Sequence, residues 1–121
     1  MQYTFLVYLD EKKFYSLPKE EQNKVHEECT AWHEELVKTG KSLRGSGLQP
    51  SSTATTFRMQ DGKVIVTDGP FAETKEVLGG FETLECESLD EALEIASRFP
   101  GLKAGGALEV RPDVVGKCEA V

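Results

Sequence analysis

The sequence has no long apolar run, no surplus of basic residues and few cysteines. None of its apolar stretches approaches the ~20 residues that a membrane-spanning helix needs, and its first ten residues lack the basic flank of a signal peptide. With 14 Lys and Arg against 21 Asp and Glu, the formal net charge is −7. A surface of that sign disfavours nucleic acids and anionic membranes, because both are bound through clustered basic side chains. We therefore expect a cytoplasmic protein that binds neither nucleic acid nor membrane.

The three cysteines are too few and too widely spaced to predict a zinc site or a redox pair. Cys29, Cys86 and Cys118 form no Cys-x-x-Cys motif, which is the spacing typical of both. An odd, scattered set of thiols fits a reducing compartment. We expect Cys29 and Cys86 to pack as small apolar side chains in the core.

The length and composition indicate one domain. A chain of 121 residues, 39% hydrophobic and 29% charged, is sufficient to bury one core and lies within the ordinary globular range. We place the domain at residues 1–113 and interpret residues 114–121 as a C-terminal tail.

Helix and strand signals alternate along the chain. Residues 1–10 are rich in β-branched and aromatic side chains with apolar groups on both faces, which is typical of a central strand. A helical period from Pro18 to Thr39 predicts the first helix. A capping box that begins at Ser88 predicts the second helix, which Pro100-Gly101 ends.

The remaining segments predict strands. Short strands are expected at residues 41–48, 79–86 and 107–111, and a hairpin at residues 53–67 has the turn dipeptide Asp61-Gly62. The resulting order is strand, helix, strand, hairpin, strand, helix, strand. It predicts an α+β fold of the ferredoxin-like βαββαβ type with an inserted β-hairpin, in which both helices cover one face of an antiparallel sheet.

The second face of this sheet needs a cover. The strand at residues 1–10 is apolar on both sides, and exposed apolar patches of several hundred Å² are rare in monomers. A second copy of the chain is the simplest cover. We therefore expect a homodimer in which two sheets face each other, a dimeric α+β barrel.

Two glycine motifs resemble nucleotide-binding sequences but lack required residues. Gly40-Lys41-Ser42 matches the end of a phosphate-binding loop, yet the glycine required five residues earlier is Glu35. Gly45-Ser46-Gly47 lacks the third glycine of a dinucleotide fingerprint. Neither motif predicts a nucleotide cofactor.

Two histidines lie along one side of the first predicted helix. His26 and His33 flank Cys29 at helical spacing, but they are ~10.5 Å apart along the axis at 1.5 Å per residue, too far to share one metal ion. We expect no metal. The histidines are either boundary residues of the helix, or one acts as a general acid or base, because imidazole titrates near neutral pH.

The segment after the hairpin contains a dense group of polar candidates. Asp68 either only caps the turn or serves as a catalytic carboxylate at the mouth of a cleft. In the second interpretation, the pocket lies between the uncovered sheet face and this loop. The candidate ligand-binding residues are Arg58, Phe71, Glu73, Thr74 and Lys75.

The same segment resembles the YCII-related, DGPF-domain family of small bacterial proteins. The motif Asp68-Gly69-Pro70-Phe71 gives that family its name, and the likeness continues to Phe81 and includes Glu109-Val110-Arg111-Pro112. The resemblance implies a ferredoxin-like fold of the dimeric α+β barrel type. It also implies a similarity to small enzymes that act on lactone-like or chlorinated ring compounds, with a histidine and an aspartate as an acid/base pair. It also implies an association with extracytoplasmic-type sigma factors.

Two functional hypotheses follow. The leading one is a homodimer that binds a small molecule and transfers a proton with Asp68, His26 or His33, without a cofactor. The alternative is a regulatory module whose acidic surface binds a protein partner. A concave, partly apolar cavity favours the first hypothesis, and a flat exposed patch favours the second.

Overall fold

The computed structural model describes residues 1–116, and most of the tail that we predicted lies outside this range. Six strands and three helices follow one another along the chain. Their bounds are β1 Gln2–Leu9, α1 Glu11–Tyr15, α2 Lys19–Lys38, β2 Ser42–Gly47, β3 Thr55–Gln60, β4 Lys63–Asp68, β5 Val77–Glu85, α3 Leu89–Ser97 and β6 Ala107–Pro112.

Four of the strands form one antiparallel sheet in the order β2-β5-β1-β6. This is the strand order of a ferredoxin-like fold. Strands β3 and β4 pair only with each other, as a separate two-stranded sheet. The predicted fold class is therefore confirmed, including the inserted hairpin.

Helices α2 and α3 cover the same face of the four-stranded sheet. Phe5 of β1 is fully buried, and its ring stacks on Trp32 of α2 with centroids 6.1 Å apart. Ala92 and Ile95 of α3 belong to the same core, together with Leu84 of β5. Close packing of these apolar side chains holds the helices on the sheet.

The ends of the two long helices follow local rules. At α3 the Ser88 hydroxyl accepts a hydrogen bond from the Glu91 amide at 3.1 Å, which is one half of the predicted capping box. The Glu91 carboxylate reaches back to the Glu87 amide at 3.1 Å rather than to the Ser88 amide. The Glu91 carboxylate also accepts from Lys41 at 2.9 Å, and this bond lowers the pKa of Glu91. Gly40 ends α2 with a φ of 75°, a conformation that glycine adopts without strain.

Helix α1 is absent from the prediction. The Asp10 side chain caps it by accepting a hydrogen bond from the Lys13 amide at 3.2 Å, and its one buried residue is Phe14. A single helical turn of five residues has too short a period to be recognised in a sequence. Its position matters, because it brings Phe14 against α2.

The opposite sheet face presents alternate residues of β1 and β5. Leu6 and Phe81 are paired there, and both are only partly buried. Thr4 donates a hydrogen bond to Asp113 at 2.5 Å on the same face. In the part of the chain that is described, neither α2 nor α3 packs on this side of the sheet.

The two described cysteines differ in their surroundings. Cys86 is buried in the core, as predicted, whereas Cys29 of α2 is only partly buried. No helix within residues 1–116 is long and apolar enough to cross a membrane.

Candidate functional site

A cavity of about 450 Å³ lies between α2 and the end of the sheet at which β1 finishes. Its size is in the range of small-molecule sites. Apolar and aromatic side chains make up much of its wall. They include Val7, Leu9, Phe14, Val25, Trp32 and Phe99.

Glycines of two strands line this cavity, namely Gly45 and Gly47 of β2 and Gly79 and Gly80 of β5. A strand residue normally places a side chain between sheet and helix, and a glycine has none. At Gly47 a Cβ would meet nothing within 4 Å, so the missing side chain leaves open space there, whereas the Glu82 carboxylate fills the place at Gly45 and the Leu9 side chain fills it at Gly79.

A histidine and a carboxylate meet in the wall of the cavity. His33 Nδ1 lies 2.6 Å from Oε1 of Glu82, whose side chain is 4% exposed. A buried carboxylate needs a hydrogen-bonding partner to offset its lost hydration. His33, with 38% of its side chain exposed, provides that partner and also reaches the cavity.

This arrangement fixes how the imidazole can act. When Nδ1 donates to a carboxylate, Nε2 of a neutral ring is left as an acceptor. No other residue among 1–116 forms a hydrogen bond with the His33 ring. The pair therefore has the geometry of a general base that is oriented by a buried acid, the second half of the serine-histidine-aspartate arrangement.

Glu82 was not among the predicted site residues, although the sequence contains a signal for it. The apolar members of the strand predicted at residues 79–86 are Phe81, Leu84 and Cys86, which do not alternate strictly. In the structure Glu82 is paired with Phe5 and Leu84 with Tyr3, so Glu82 shares the helix-covered face with Leu84. An acid in an inward position of a strand is unusual, and this position identifies Glu82 as a functional candidate.

The other predicted histidine also lines the cavity. The His26 ring packs against Phe14 with centroids 5.4 Å apart. The structure thus brings His26, Cys29 and His33 to one wall. Among the described residues, no group of three histidine, cysteine or acidic side chains is arranged to hold a metal ion.

The predicted residues around Asp68 lie elsewhere. Asp68 ends β4 opposite Thr55, and Arg58 donates a hydrogen bond to the Phe71 carbonyl oxygen at 2.8 Å. The Arg58 guanidinium also lies 5.9 Å from the centre of the Phe71 ring. Thr74 bonds only within its own loop, to the Glu76 carbonyl oxygen at 2.5 Å.

The position of the cavity differs from our expectation. We expected a pocket between the uncovered sheet face and the Asp68 loop, but this cavity lies on the helix-covered side. Its lining includes none of Asp68, Arg58, Phe71, Glu73, Thr74 and Lys75. The reason is that the paired residues Gly47 and Gly80 place no side chain between the sheet and α2. A role for the Asp68 loop stays a prediction.

The absence of a side chain at Gly45 leaves room for the Glu82 carboxylate. A Cβ at this position would clash with Oε2 of Glu82, whereas a Cβ at Gly47, two residues further along β2, would meet nothing within 4 Å. We expect Gly45→Ala to push the Glu82 carboxylate away from His33. The expected loss is roughly 1–3 kcal/mol of unfolding free energy, the cost of disturbing a buried polar pair.

The matched control for this substitution is Gly47→Ala, for which we expect a change below about 0.5 kcal/mol. Long-range proton-nitrogen NMR spectra show which ring nitrogen of His33 carries the proton, and a change in stability alone does not alter that. Nδ1 should keep its proton in the wild type and in Gly47→Ala and lose it in Gly45→Ala. An unchanged His33 spectrum in Gly45→Ala would contradict this role of Gly45.

The fold and the cavity define a class of small α+β proteins with a ferredoxin-like sheet and a pocket under the first long helix. Residues 1–113 match the family model described as YCII-related domain. The chain belongs to the YCII-related family. Membership of its DGPF subgroup stays a prediction from the motif at Asp68.

Two similar proteins illustrate the relationship. An uncharacterised protein of Rhizobium meliloti (strain 1021) is 42% identical over 113 residues, which cover 93% of this chain and 91% of that protein. A solved structure with a TM-score of 0.59 is 5-chloro-2-hydroxyhydroquinone dehydrochlorinase from Burkholderia phenoliruptrix AC1100, in complex with 2,5-dihydroxybenzoquinone. It is 19% identical and the match covers 96% of both chains, so this likeness shows the fold alone.

Proposed function

We propose that this protein binds a small ring compound in the cavity under α2 and transfers a proton on it without a cofactor, using His33 and Glu82. The observation that carries the proposal is the 2.6 Å contact between His33 Nδ1 and the buried Glu82 carboxylate in the wall of a 450 Å³ cavity. General bases of this kind need a positioned imidazole and a water-poor site.

The lining of the cavity suggests the class of ligand. Aromatic side chains such as Trp32 and Phe14 favour a flat, largely apolar ring through stacking and edge contacts. The structural neighbour is an enzyme named for a chlorinated hydroxyhydroquinone and is bound to a hydroxyquinone. We propose hydroxylated aromatic or quinone-like rings for this chain, with an acidic C–H or O–H group next to a carbonyl.

The proposed step moves one proton. Nε2 of His33 takes a proton from the ring compound, and the electron pair that held it moves onto the adjacent carbonyl oxygen. Glu82 stabilises the imidazolium that forms. Return of the proton to another ring atom gives an isomerisation. In an elimination, the electron pair returns from the oxygen to reform the carbonyl, a double bond forms to the neighbouring carbon, and the leaving group departs from that carbon with the electrons of its bond.

A homodimer and a cytoplasmic location are part of the proposal. The partly exposed Leu6 and Phe81 on the second sheet face support a cover by a second copy. In such a dimer, we expect the loop with Asp68 and Lys75 to contact the partner. The predicted acid/base role of Asp68 depends on that contact.

A ligand screen tests the proposal. Thermal unfolding is measured with a panel of substituted hydroquinones, hydroxyquinones and unsaturated lactones, because a ligand at 100-fold its Kd adds ~2.7 kcal/mol to stability. We expect a ring compound to raise the Tm of the wild type and of Asp68→Asn equally, and to lose most of its effect on His33→Ala. Binding that depends on Asp68 and not on His33 would overturn the assignment.

Cys29 reports whether a ligand occupies the cavity. Burial raises the pKa of the Cys29 thiol, with the backbone at Gly101 opposing the shift, and the thiolate is the form that reacts. We expect iodoacetamide to alkylate Cys29 at least ~10-fold more slowly than free glutathione at pH 8, and more slowly still with ligand present. Mass spectrometry of the separate peptides measures these rates.

Cys86 is the internal control for this experiment. Burial also raises its pKa, but it lies in the core and is not part of the cavity wall. Its alkylation rate should therefore follow global stability only. A ligand that protects Cys86 and Cys29 to the same degree would indicate general stabilisation rather than binding in the cavity.

The regulatory alternative has no support from the relatives described above. One is uncharacterised and the other is an enzyme. An association with a sigma factor stays a hypothesis that rests on the motif at Asp68.

A further inference from the structure

The hairpin formed by β3 and β4 has one apolar face that nothing within residues 1–116 covers. Phe57 is paired with Val66 and Met59 with Val64, so the four side chains share one face. Phe57 and Met59 are each 68% exposed, Val64 58% and Val66 56%. Together they form a patch on the order of 400 Å², a size that marks interaction sites in soluble proteins.

The opposite face of the hairpin is mostly polar. Arg58 is paired there with Ile65, Thr56 with Thr67, and Gln60 with Lys63. Alternation of this kind is typical of an antiparallel sheet with one covered and one solvated face. The hairpin therefore has the sequence pattern of a packed element, although no described residue covers its apolar face.

An uncovered hairpin of this kind is not stable by itself. An isolated two-stranded hairpin is marginal in water and needs a third strand or a packing partner. Strands β3 and β4 form a sheet that is separate from the four-stranded one, so the main sheet supplies no third strand. Residues 1–116 therefore supply no cover for the apolar face of the hairpin.

We propose that this face is a dimerisation arm, which packs on the body of a second copy of the same chain. The inference rests on the homodimer of the proposed function and extends it. In a closed twofold dimer the apolar faces of both hairpins are covered, because each hairpin packs on the same surface of the other copy. Among the paired residues of the apolar face, the charged one is Asp68, at the base of the hairpin.

The area of the interface favours a second copy as the occupant. Four strands ~4.8 Å apart and about seven residues long give a sheet face on the order of 450 Å², whereas a stable interface buries about 800 Å² per partner. The arm adds the missing area. Each chain has a net charge of −7, so charged surfaces of two copies repel each other. We therefore expect two copies to bind through apolar faces that carry little charge.

Paired substitutions in the hairpin test the proposal. The double variant Phe57→Ser with Val66→Ser removes the apolar face, and Ile65→Ser with Thr67→Ser alters the opposite face of the same strands. Sedimentation velocity over a dilution series gives the dimer dissociation constant. We expect an increase of at least 10-fold for the first variant and less than 3-fold for the second. Equal dimer dissociation constants for the first variant and the wild type would overturn the proposed role of the hairpin.

Hydrogen exchange of the unmodified chain gives an independent test that does not depend on the folding of a variant. Amides of β3 and β4 should exchange at least 10-fold more slowly at concentrations where the chain is dimeric than where it is monomeric. Equal exchange rates at the two concentrations would overturn the role of the hairpin in the dimer but not the dimer itself. A wild type that is monomeric at every concentration would overturn the dimer as well. Neither result bears on His33 and Glu82, whose test is ligand binding.

Discussion

Glu82→Gln is expected to slow proton transfer by two to four orders of magnitude, the usual contribution of a positioned acid/base group. Glutamine keeps the size of the side chain but has no charge to stabilise an imidazolium on His33. Exchange of ring hydrogens with D₂O, followed by proton NMR on a ligand from the screen, measures the rate. The Kd of the ligand should change by less than about 10-fold, because the glutamine side chain fills the same space as the glutamate.

Glu85→Gln is the control for this substitution. Glu85 also lies in β5, but its side chain is 53% exposed and pairs with the N-terminal amine, so we expect an unchanged exchange rate. An exchange rate of Glu82→Gln equal to that of the wild type would show that the buried carboxylate has only a structural role. His33→Gln should slow the exchange at least as much as Glu82→Gln, since His33 is the proposed base and Glu82 acts through it.

Phe5→Ala is expected to lower the free energy of unfolding by roughly 3–5 kcal/mol, the range for truncating a buried phenylalanine. Phe5 is fully buried in the central strand and stacks on Trp32, so its loss leaves a cavity where helix and sheet meet. Urea unfolding measures the change. Since natural domains are stable by only about 5–15 kcal/mol, this variant loses a large part of the total.

Phe71→Ala is the control for Phe5→Ala, because Phe71 is 73% exposed. We expect a change below about 0.5 kcal/mol for it. A loss under ~1 kcal/mol in Phe5→Ala would mean that the core under α2 rearranges to fill the space, contrary to the packing described here.

The order of elements could be predicted from the sequence because each element has a strong local signal. The period of four and three residues through Val25, Cys29, Trp32 and Leu36 matches α2, and Ser88 caps α3 as expected. Asp61-Gly62 forms the hairpin turn with positive φ at both residues. The five residues of α1 gave no such signal, since one helical turn has no period to detect.

The site could be predicted only in part. Both histidines line the cavity, because helical spacing fixes which side chains share a face of α2. Glu82 was missed because its role depends on the strand register, which a bulge near Val7 also disturbs. The open space at Gly47 lies beside Gly80, which is paired with it in the sheet but far from it in sequence, and no local pattern reveals that.

The most direct test of the account is to map ligand binding on the nitrogen-15 NMR spectrum of the whole chain, with the ring compound that raises the Tm most. Glycine amides are well separated in such spectra, and seven glycines line the cavity, four of them in β2 and β5. The account predicts shifts of Gly45, Gly47, Gly79 and Gly80 together with a change at the His33 ring. Shifts confined to residues 68–76, with those four glycines and His33 unmoved, would contradict it.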